Sequence, residues 1–480
     1  MSEYKLFVQR IGLVGITNVL VSLASLILLP ILSKNLPVQD YGVWVQFIAT
    51  FAFIPLIVNL GLPYTMVRFL AVKHEKGEIQ EGFYSITLLL LLVSLITAMA
   101  LFLLSGQIAS LLFNGNIEIS KLLALSIIIG ILSTSFFSYF RTFQQMKLFS
   151  ILTLLQTYLG VIMVIIFVYL GFSVSGVVLG YIIAQIITFV LAMALIIRQI
   201  GFKVPKFENM TEYLSFGIPT VPGNLSSWMV DMSDRYVIGI LLGTAFVGYY
   251  SPGYTLGNLI LMMMAPFTYL LPSVLFSYYD QNKIEEVIIH LQYSIKYFIL
   301  LALPAVFGLS LLSKPLLTIL STSEIASNGY LITPFVALGA FLLGIYGLIS
   351  QILALEKKTK IIGSLWMIAA VINIILNIIF VPLLGIVAAA ISTLIAYGFV
   401  FGVSTYYSLK NIKIGFDWEF IIKSLIASIL MSLVLIFINP TSAFWIITTV
   451  IICSGVYIGL VLLFRGISKD EIEFFKNLMK

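Results

Sequence analysis

The stretch from Ser226 to Gly243, SSWMVDMSDRYVIGILLG, sets Asp231, Asp234 and Arg235 inside an otherwise apolar run. Carboxylates hold cations or exchange protons, and a guanidinium grips carboxylate or phosphate through paired donors. On a helix, Asp231 stands one turn before Arg235, the favourable order for an ion pair, and Asp234 falls on a neighbouring part of that face. Two readings are open. Asp231 and Arg235 neutralise each other, or Arg235 reaches outward toward the helix end at Gly243, in a purely structural role. Alternatively the face borders a watery cavity, where Arg235 attracts an anionic headgroup and Asp231 or Asp234 exchanges a proton or cation. Eighteen of the 20 acidic residues fall in loops, termini or helix ends, which leaves Asp231 and Asp234 as the outliers. Ionised groups at membrane depth are costly and face a partner or water. Just upstream, SFGIPTVPGNLSS puts Pro219, Pro222 and Gly223 in the same span, which must therefore bend or unwind.

Other candidates are less isolated. Lys296 lies about two turns into a helix, placed to meet phosphate or to reach back to the interface. Arg68 and His74 close a helix where anionic lipid headgroups sit, and simple anchoring competes with headgroup contact. Among the amides spread through the helices, Asn18, Gln46, Asn224 and Asn258 belong to the leading helices of two repeats and are the candidate cavity residues; the others read as packing. Tyr249, Tyr250 and Tyr254 read as interfacial belt residues. No Gly-rich loop is followed by Lys and Ser or Thr, and two histidines and one cysteine give neither a metal centre nor an acid–base pair by spacing. No cofactor, no metal site and no enzyme activity are expected.

The elements that must position these residues follow from composition. Hydrophobic residues make up 61% of the 480, charged residues 10%, and the mean hydropathy is +1.12, values of an integral membrane chain. Apolar runs give 14 candidate helices, near 11–33, 41–68, 83–112, 119–140, 148–171, 174–197, 213–243, 246–278, 287–320, 329–355, 361–383, 385–409, 420–438 and 443–464. The run from Ile11 to Ser33 is longer than a secretory signal and reads as the first permanent span. With the N-terminus in the cytoplasm, 21 of the 26 Lys and Arg residues fall on cytoplasmic ends or loops, so both termini are expected inside. The net charge of +6 then reflects topology, and no nucleic acid is implied. Cys453, alone, reads as a core residue.

An internal repeat organises the helices. Lys147 precedes Phe167–Leu170 (FVYL) by the same interval as Lys360 precedes Phe380–Leu383 (FVPL), and a second correspondence relates Asn18 and Gly42 to Asn224 and Gly248. The fold class expected is all-α integral membrane: about 14 transmembrane helices, in two pseudo-symmetric six-helix bundles plus two C-terminal helices. The lobes are placed at 1–200 and 201–410, with helices 13 and 14 and a cytoplasmic tail at 411–480. Parallel repeats of this kind rock about a central site.

With these residues assembled, LPILSKNLPVQDYGVWVQF, SDRYVIGILLGTAFVGYYSPGYTLGNLI and ALEKKTKIIGSLWMIAAVINIILNIIFVPLLGIVAAAIST resemble the Wzx-type polysaccharide flippases of the multidrug, oligosaccharidyl-lipid and polysaccharide exporter superfamily. The resemblance implies a transporter that moves polyprenyl-pyrophosphate-linked oligosaccharide from the cytoplasmic to the outer leaflet of the cell membrane by alternating access. It implies cationic cavity residues for the pyrophosphate, proton or sodium coupling in some members, and membrane lipids and glycosyltransferases or a polymerase as partners. Ser233–Arg235 (SDR) matches a recurring family pattern, which suits an architectural role as well as transport. Within GIVAAA, Val and Ala replace a second glycine common in the family. Two rivals remain: a multidrug or small-cation antiporter of the same superfamily, and a membrane polysaccharide polymerase or ligase.

Overall fold

The computed structural model describes residues 3–467, and the helices hold nearly all of them. Twenty α-helices follow in order: α1 Glu3–Asn35, α2 Val38–Val58, α3 Leu62–Leu70, α4 Lys76–Leu103, α5 Ser105–Leu112, α6 Ile117–Thr142, α7 Met146–Tyr169, α8 Val174–Ile200, α9 Met210–Gly217 and α10 Val221–Leu241. Then come α11 Thr244–Asn258, α12 Ala265–Asp280, α13 Ile284–Leu320, α14 Ser323–Gly329, α15 Ile332–Ile349, α16 Gln351–Leu355, α17 Thr359–Leu384, α18 Ile386–Asn411, α19 Trp418–Ile438 and α20 Ala443–Leu463. The expected cytoplasmic tail lies, from residue 468 onward, outside the described residues.

Twelve helical stretches among the described residues are long and apolar enough to cross a bilayer, and the bent pair Thr244–Thr268 with Leu271–Asp280 makes a thirteenth when counted as one span. The chain is a multi-pass membrane protein. The remaining candidate of the 14 is α10, which has the length, 21 residues, but carries Asp231, Asp234 and Arg235 along its second half.

Several spans read as continuous from hydropathy are broken. The run 41–68 divides at Asn59–Gly61, where Leu60 and Gly61 take φ of 51° and 69°. Gly61 adopts that left-handed conformation without a Cβ penalty, and Pro63, in the first turn of α3, needs no N–H there. The run 83–112 divides into α4 and α5 at Leu104. The proline-rich entry to α10 unwinds to a 3-10 turn over Ile218–Thr220, as its two prolines require.

Packing sorts the chain into two compact units. The first comprises Met1–Ser251 with Ile374–Gly385, the second Pro252–Asn373 with Ile386–Lys480. In the first unit, α10 packs against α2 and α5. The first unit's core gathers Phe47, Phe83, Ile86, Leu90 and Phe140, all essentially inaccessible. In the second, α13 packs on α15 and α19, and α15 on α18, around Leu291, Phe298 and Ile349.

Within the first unit, α2 lies against the start of α11 at backbone distance. A Cβ on Gly42 would stand 1.8 Å from the Thr244 carbonyl oxygen, and one on Gly248 would stand 2.4 Å from that of Val38. Thr244 and Gly248 follow Val38 and Gly42 by the same 206 residues, so the contact is reciprocal under the internal repeat.

The segment between α8 and α9 is pinned to α4. Glu81 Oε1 accepts from the Lys206 N–H at 2.7 Å, Gln80 donates to the Ile200 carbonyl and Tyr84 to that of Gly201, each at 2.5 Å.

Candidate functional site

The site is built on α10, from its broken entry inward. Short polar side chains take up carbonyls around the break: Thr220 Oγ1 donates to Gly217 O at 2.7 Å, and Ser226 Oγ to Pro222 O at 2.8 Å. Asn224 Nδ2 donates to Thr220 O at 3.3 Å, so this amide closes the broken turn. The break in α10's path meets the break in α2's. A Cβ on Gly61 would stand 2.0 Å from the Gly217 carbonyl oxygen, and Thr65 Oγ1 donates to Tyr213 O at 3.1 Å. An aromatic group of Phe53, Trp228 and Tyr236 covers the next turns, with Phe53 and Trp228 centroids 4.5 Å apart.

About three turns in from Asn224, Arg235 Nη1 pairs with Asp234 Oδ1 at 2.9 Å and donates to the Asp231 main-chain carbonyl at 2.8 Å. The adjacent carboxylate, Asp234, is thus an ion-pair partner of Arg235. Asp234 is fully buried and Arg235 is 6% exposed, while Asp231 is half-buried. Tyr250, from α11, donates its hydroxyl to Asp234 Oδ2 and sets its ring 5.9 Å from the Arg235 guanidinium carbon. Tyr250 is fully buried and Tyr254 2% exposed, which corrects the belt reading of both. Their rings fill the interior because α11 turns that face inward, and the buried Tyr250 hydroxyl finds a carboxylate.

Gln46 completes the site from α2. Its Nε2 donates to the Arg235 carbonyl oxygen at 2.6 Å. That carbonyl is reachable because residue 239 is glycine: a Cβ there would stand 2.0 Å from Gln46 Nε2. One turn on, Tyr236 donates to Thr50 Oγ1 at 2.9 Å, so α2 and α10 are tied at two levels. The Gln46 Oε1 atom is buried without a hydrogen-bond partner among the described residues.

Gln46, Asp231, Asp234 and Arg235 are thus brought together, and Asn224 sits at the entry of the same helix. Asn18 is exposed on α1. Arg68 is exposed in the last turn of α3. Asn258 ends α11, with its Oδ1 buried and without a hydrogen-bond partner among the described residues. Lys296 belongs to the second unit, where its Nζ stands 3.8 Å from Asp417 Oδ2 and 5.2 Å from the centre of the Phe420 ring. Among the described residues no group of three His, Cys, Asp or Glu side chains is arranged to hold a metal ion. Sequence reasoning missed Tyr250 and Gly239: Tyr250 arrives from α11, and Gly239, one turn after Arg235, matters only through the approach of Gln46 from α2, so the tertiary fold alone reveals both.

The polysaccharide biosynthesis protein family model matches residues 7–276, more than half of the chain and all of this site. The chain belongs to that family. A second model, MatE, matches residues 219–379. The chain is 24% identical over 291 residues to the probable low-salt glycan biosynthesis flippase Agl15 of Haloferax volcanii, an alignment covering 58% of this chain and 59% of that relative. Among solved structures it is similar to the lipid II flippase MurJ in an inward closed conformation, with a TM-score of 0.78 and 21% identity over 97% of this chain and 99% of that one. It also resembles an inward-facing multidrug resistance MATE family transporter of the MOP superfamily, with a TM-score of 0.61 and 19% identity over 81% and 98% of the two chains. The fold of this family member is that of MOP-superfamily transporters.

Proposed function

We propose that the protein is a flippase that carries a polyprenyl-pyrophosphate-linked oligosaccharide from the cytoplasmic to the outer leaflet, with both chain termini on the cytoplasmic side. The observation that carries this reading is the Asp234–Arg235 ion pair buried in the second half of α10, a helix unwound at its own entry. A buried ion pair is weak evidence for stability alone, and polar groups at membrane depth favour a transport role.

Arg235 is the cation for the pyrophosphate, and the headgroup reaches it by exchange with Asp234. The guanidinium offers phosphate the same paired donors that it offers carboxylate. Asp234, released from its cation by that exchange, is the carboxylate for a coupling proton. Asp231, half-buried one turn before Arg235, is a second carboxylate for a coupling proton or sodium ion. Gln46 and Asn224 position the helix through backbone carbonyls. The polyprenyl tail needs no carrier, since it stays in hydrocarbon throughout. Glycosyltransferases or a polymerase of the same route supply and consume the lipid.

A second reading, export of small organic cations in exchange for protons or sodium, is favoured by the MatE match over residues 219–379 and by the excess of carboxylates over cations on α10. The two separate in proteoliposomes. Movement of a fluorescent polyprenyl-pyrophosphate oligosaccharide without efflux of ethidium supports the flippase; ethidium efflux with an immobile lipid supports the exporter.

A further inference from the structure

In the first unit, α2 and α3 on one side meet α9 and α10 on the other along a single antiparallel seam. Before the breaks, Gln46 donates to the Arg235 carbonyl, Tyr236 donates to Thr50 Oγ1, and the Phe53 ring lies on Trp228. Beyond them, Gly61 meets Gly217, and Thr65 Oγ1 donates to the Tyr213 carbonyl at 3.1 Å. The Phe69 ring then stands 5.5 Å from the rings of both Tyr213 and Phe216. The seam thus consists of two tied pairs, α2 with α10 and α3 with α9. Both paths are interrupted at the same level between the pairs, one at Asn59–Gly61 and the other at Ile218–Thr220.

At that level the two paths touch through main chain. A Cβ on Gly61 would stand 2.0 Å from the Gly217 carbonyl oxygen, and one on Gly217 would stand 2.5 Å from that of Leu60. No side-chain rotation can let one break slip past the other. Leu60 is held at a φ of 51°, a left-handed conformation that is costly for leucine and typical of switch regions when the surroundings enforce it. On the other path Pro219 and Pro222 supply no N–H, so few backbone bonds resist bending at the α10 entry. A few element-terminal residues that absorb a change of φ and ψ are what a hinge requires. The neighbouring α6 runs unbroken from Ile117 to Thr142 past the same level, where Thr134 Oγ1 accepts from Asn59 Nδ2 at 2.9 Å.

We propose that Asn59–Gly61 and Ile218–Thr220 form one coupled hinge, at which the α2–α10 pair, carrying Gln46, Asp234 and Arg235, tilts against the α3–α9 pair. The main-chain lock between Gly61 and Gly217 makes the two breaks bend together, with α6 as the unbending post beside them. The hinge stands whatever the α10 site carries.

Hydrogen–deuterium exchange followed by mass spectrometry tests this on the purified full chain in detergent, without substrate, in peptides spanning 57–66, 214–226 and 130–138. The double substitution Pro219→Ala and Pro222→Ala restores two backbone donors and is expected to slow exchange at the α10 entry about threefold or more. A coupled hinge slows 57–66 by the same factor, to within about twofold, and leaves the α6 peptide around Thr134 unchanged. Leu60→Gly, which relieves the left-handed strain, is the reciprocal variant: its effect on 57–66 appears with the same sign and size in 214–226. A response confined to the substituted break, no response at either break, or an equal response in α6 overturns the proposal. Should the double proline variant fail to fold, Leu60→Gly decides by the same three readings.

Discussion

Gly42 and Gly248 meet each other's helix at backbone distance, Gly42 on the carbonyl of Thr244 and Gly248 on that of Val38. Each residue of this quartet has its counterpart 206 positions away, so two copies of one surface face each other, as in the self-complementary interface of a two-fold dimer. The repeat pairing of Gly42 with Gly248 is therefore a contact in the folded chain as well as a register in the sequence. Neither glycine has room for a methyl group, and both neighbours are main chain, which cannot rotate away.

Substitution at this contact is accordingly severe. Gly42→Ala and Gly248→Ala are each expected to lower thermal stability in detergent by about 1–3 kcal/mol or more, the range for overpacking. Gly402→Ala, at a helical glycine with open space around it, is expected to be neutral or stabilising by up to about 1 kcal/mol. Fluorescence-detected gel filtration over a temperature series distinguishes the two classes.

Gly239 and Gln46 form a coupled pair. Gly239→Ala pushes the Gln46 amide off the Arg235 carbonyl and is expected to destabilise, whereas the same change in a Gln46→Ala background costs little. A double-mutant cycle on thermal stability should give an interaction energy of about 0.5–3 kcal/mol. Additive effects would show that the amide is not held there.

Asp234 and Arg235 should fail singly and recover together. Removing one partner of a buried pair leaves an uncompensated charge and costs about 3–5 kcal/mol. Asp234→Asn and Arg235→Gln are each expected to lower the midpoint of thermal unfolding, and the double substitution to restore most of it. Tyr250→Phe removes one donor to Asp234 and is expected to cost about 1–3 kcal/mol.

The pinned segment after α8 gives a proteolysis test. Glu81 holds the Lys206 N–H and lies 4.0 Å from Lys203 Nζ. Glu81→Ala is expected to speed tryptic cleavage after Lys203 and Lys206 several-fold while leaving gel filtration unchanged.

Hydropathy made the spans legible, and the prolines at 219 and 222 made the unwound entry to α10 legible, because both act locally. The break in the run 41–68 was also written in the sequence. Asn59–Leu60–Gly61–Leu62–Pro63 places a left-handed glycine at a helix end and a proline at the next start, but the unbroken apolar character around it masked the signal. The ion pair was legible only in part. Helical spacing brought Arg235 near two carboxylates, but the hydroxyl on the other oxygen of Asp234 belongs to Tyr250, which arrives from α11. Gln46 was recognisable as a polar outlier, but its partner is a main-chain carbonyl, which no side-chain pattern reveals. The location of Lys296 against Asp417 and Phe420 rests on how α13 packs on α19, again a tertiary choice.

The most direct measurement is translocation of a fluorescent polyprenyl-pyrophosphate oligosaccharide in proteoliposomes, with and without a proton or sodium gradient, for wild type, Asp234→Asn, Arg235→Lys and Arg235→Gln. Exchange at Arg235 predicts gradient-stimulated movement by wild type, movement by Asp234→Asn that no longer responds to a proton gradient, partial movement by Arg235→Lys, and none by folded Arg235→Gln. Wild-type rates from folded Arg235→Gln, with the gradient response intact, would contradict it and leave the buried pair a structural element alone.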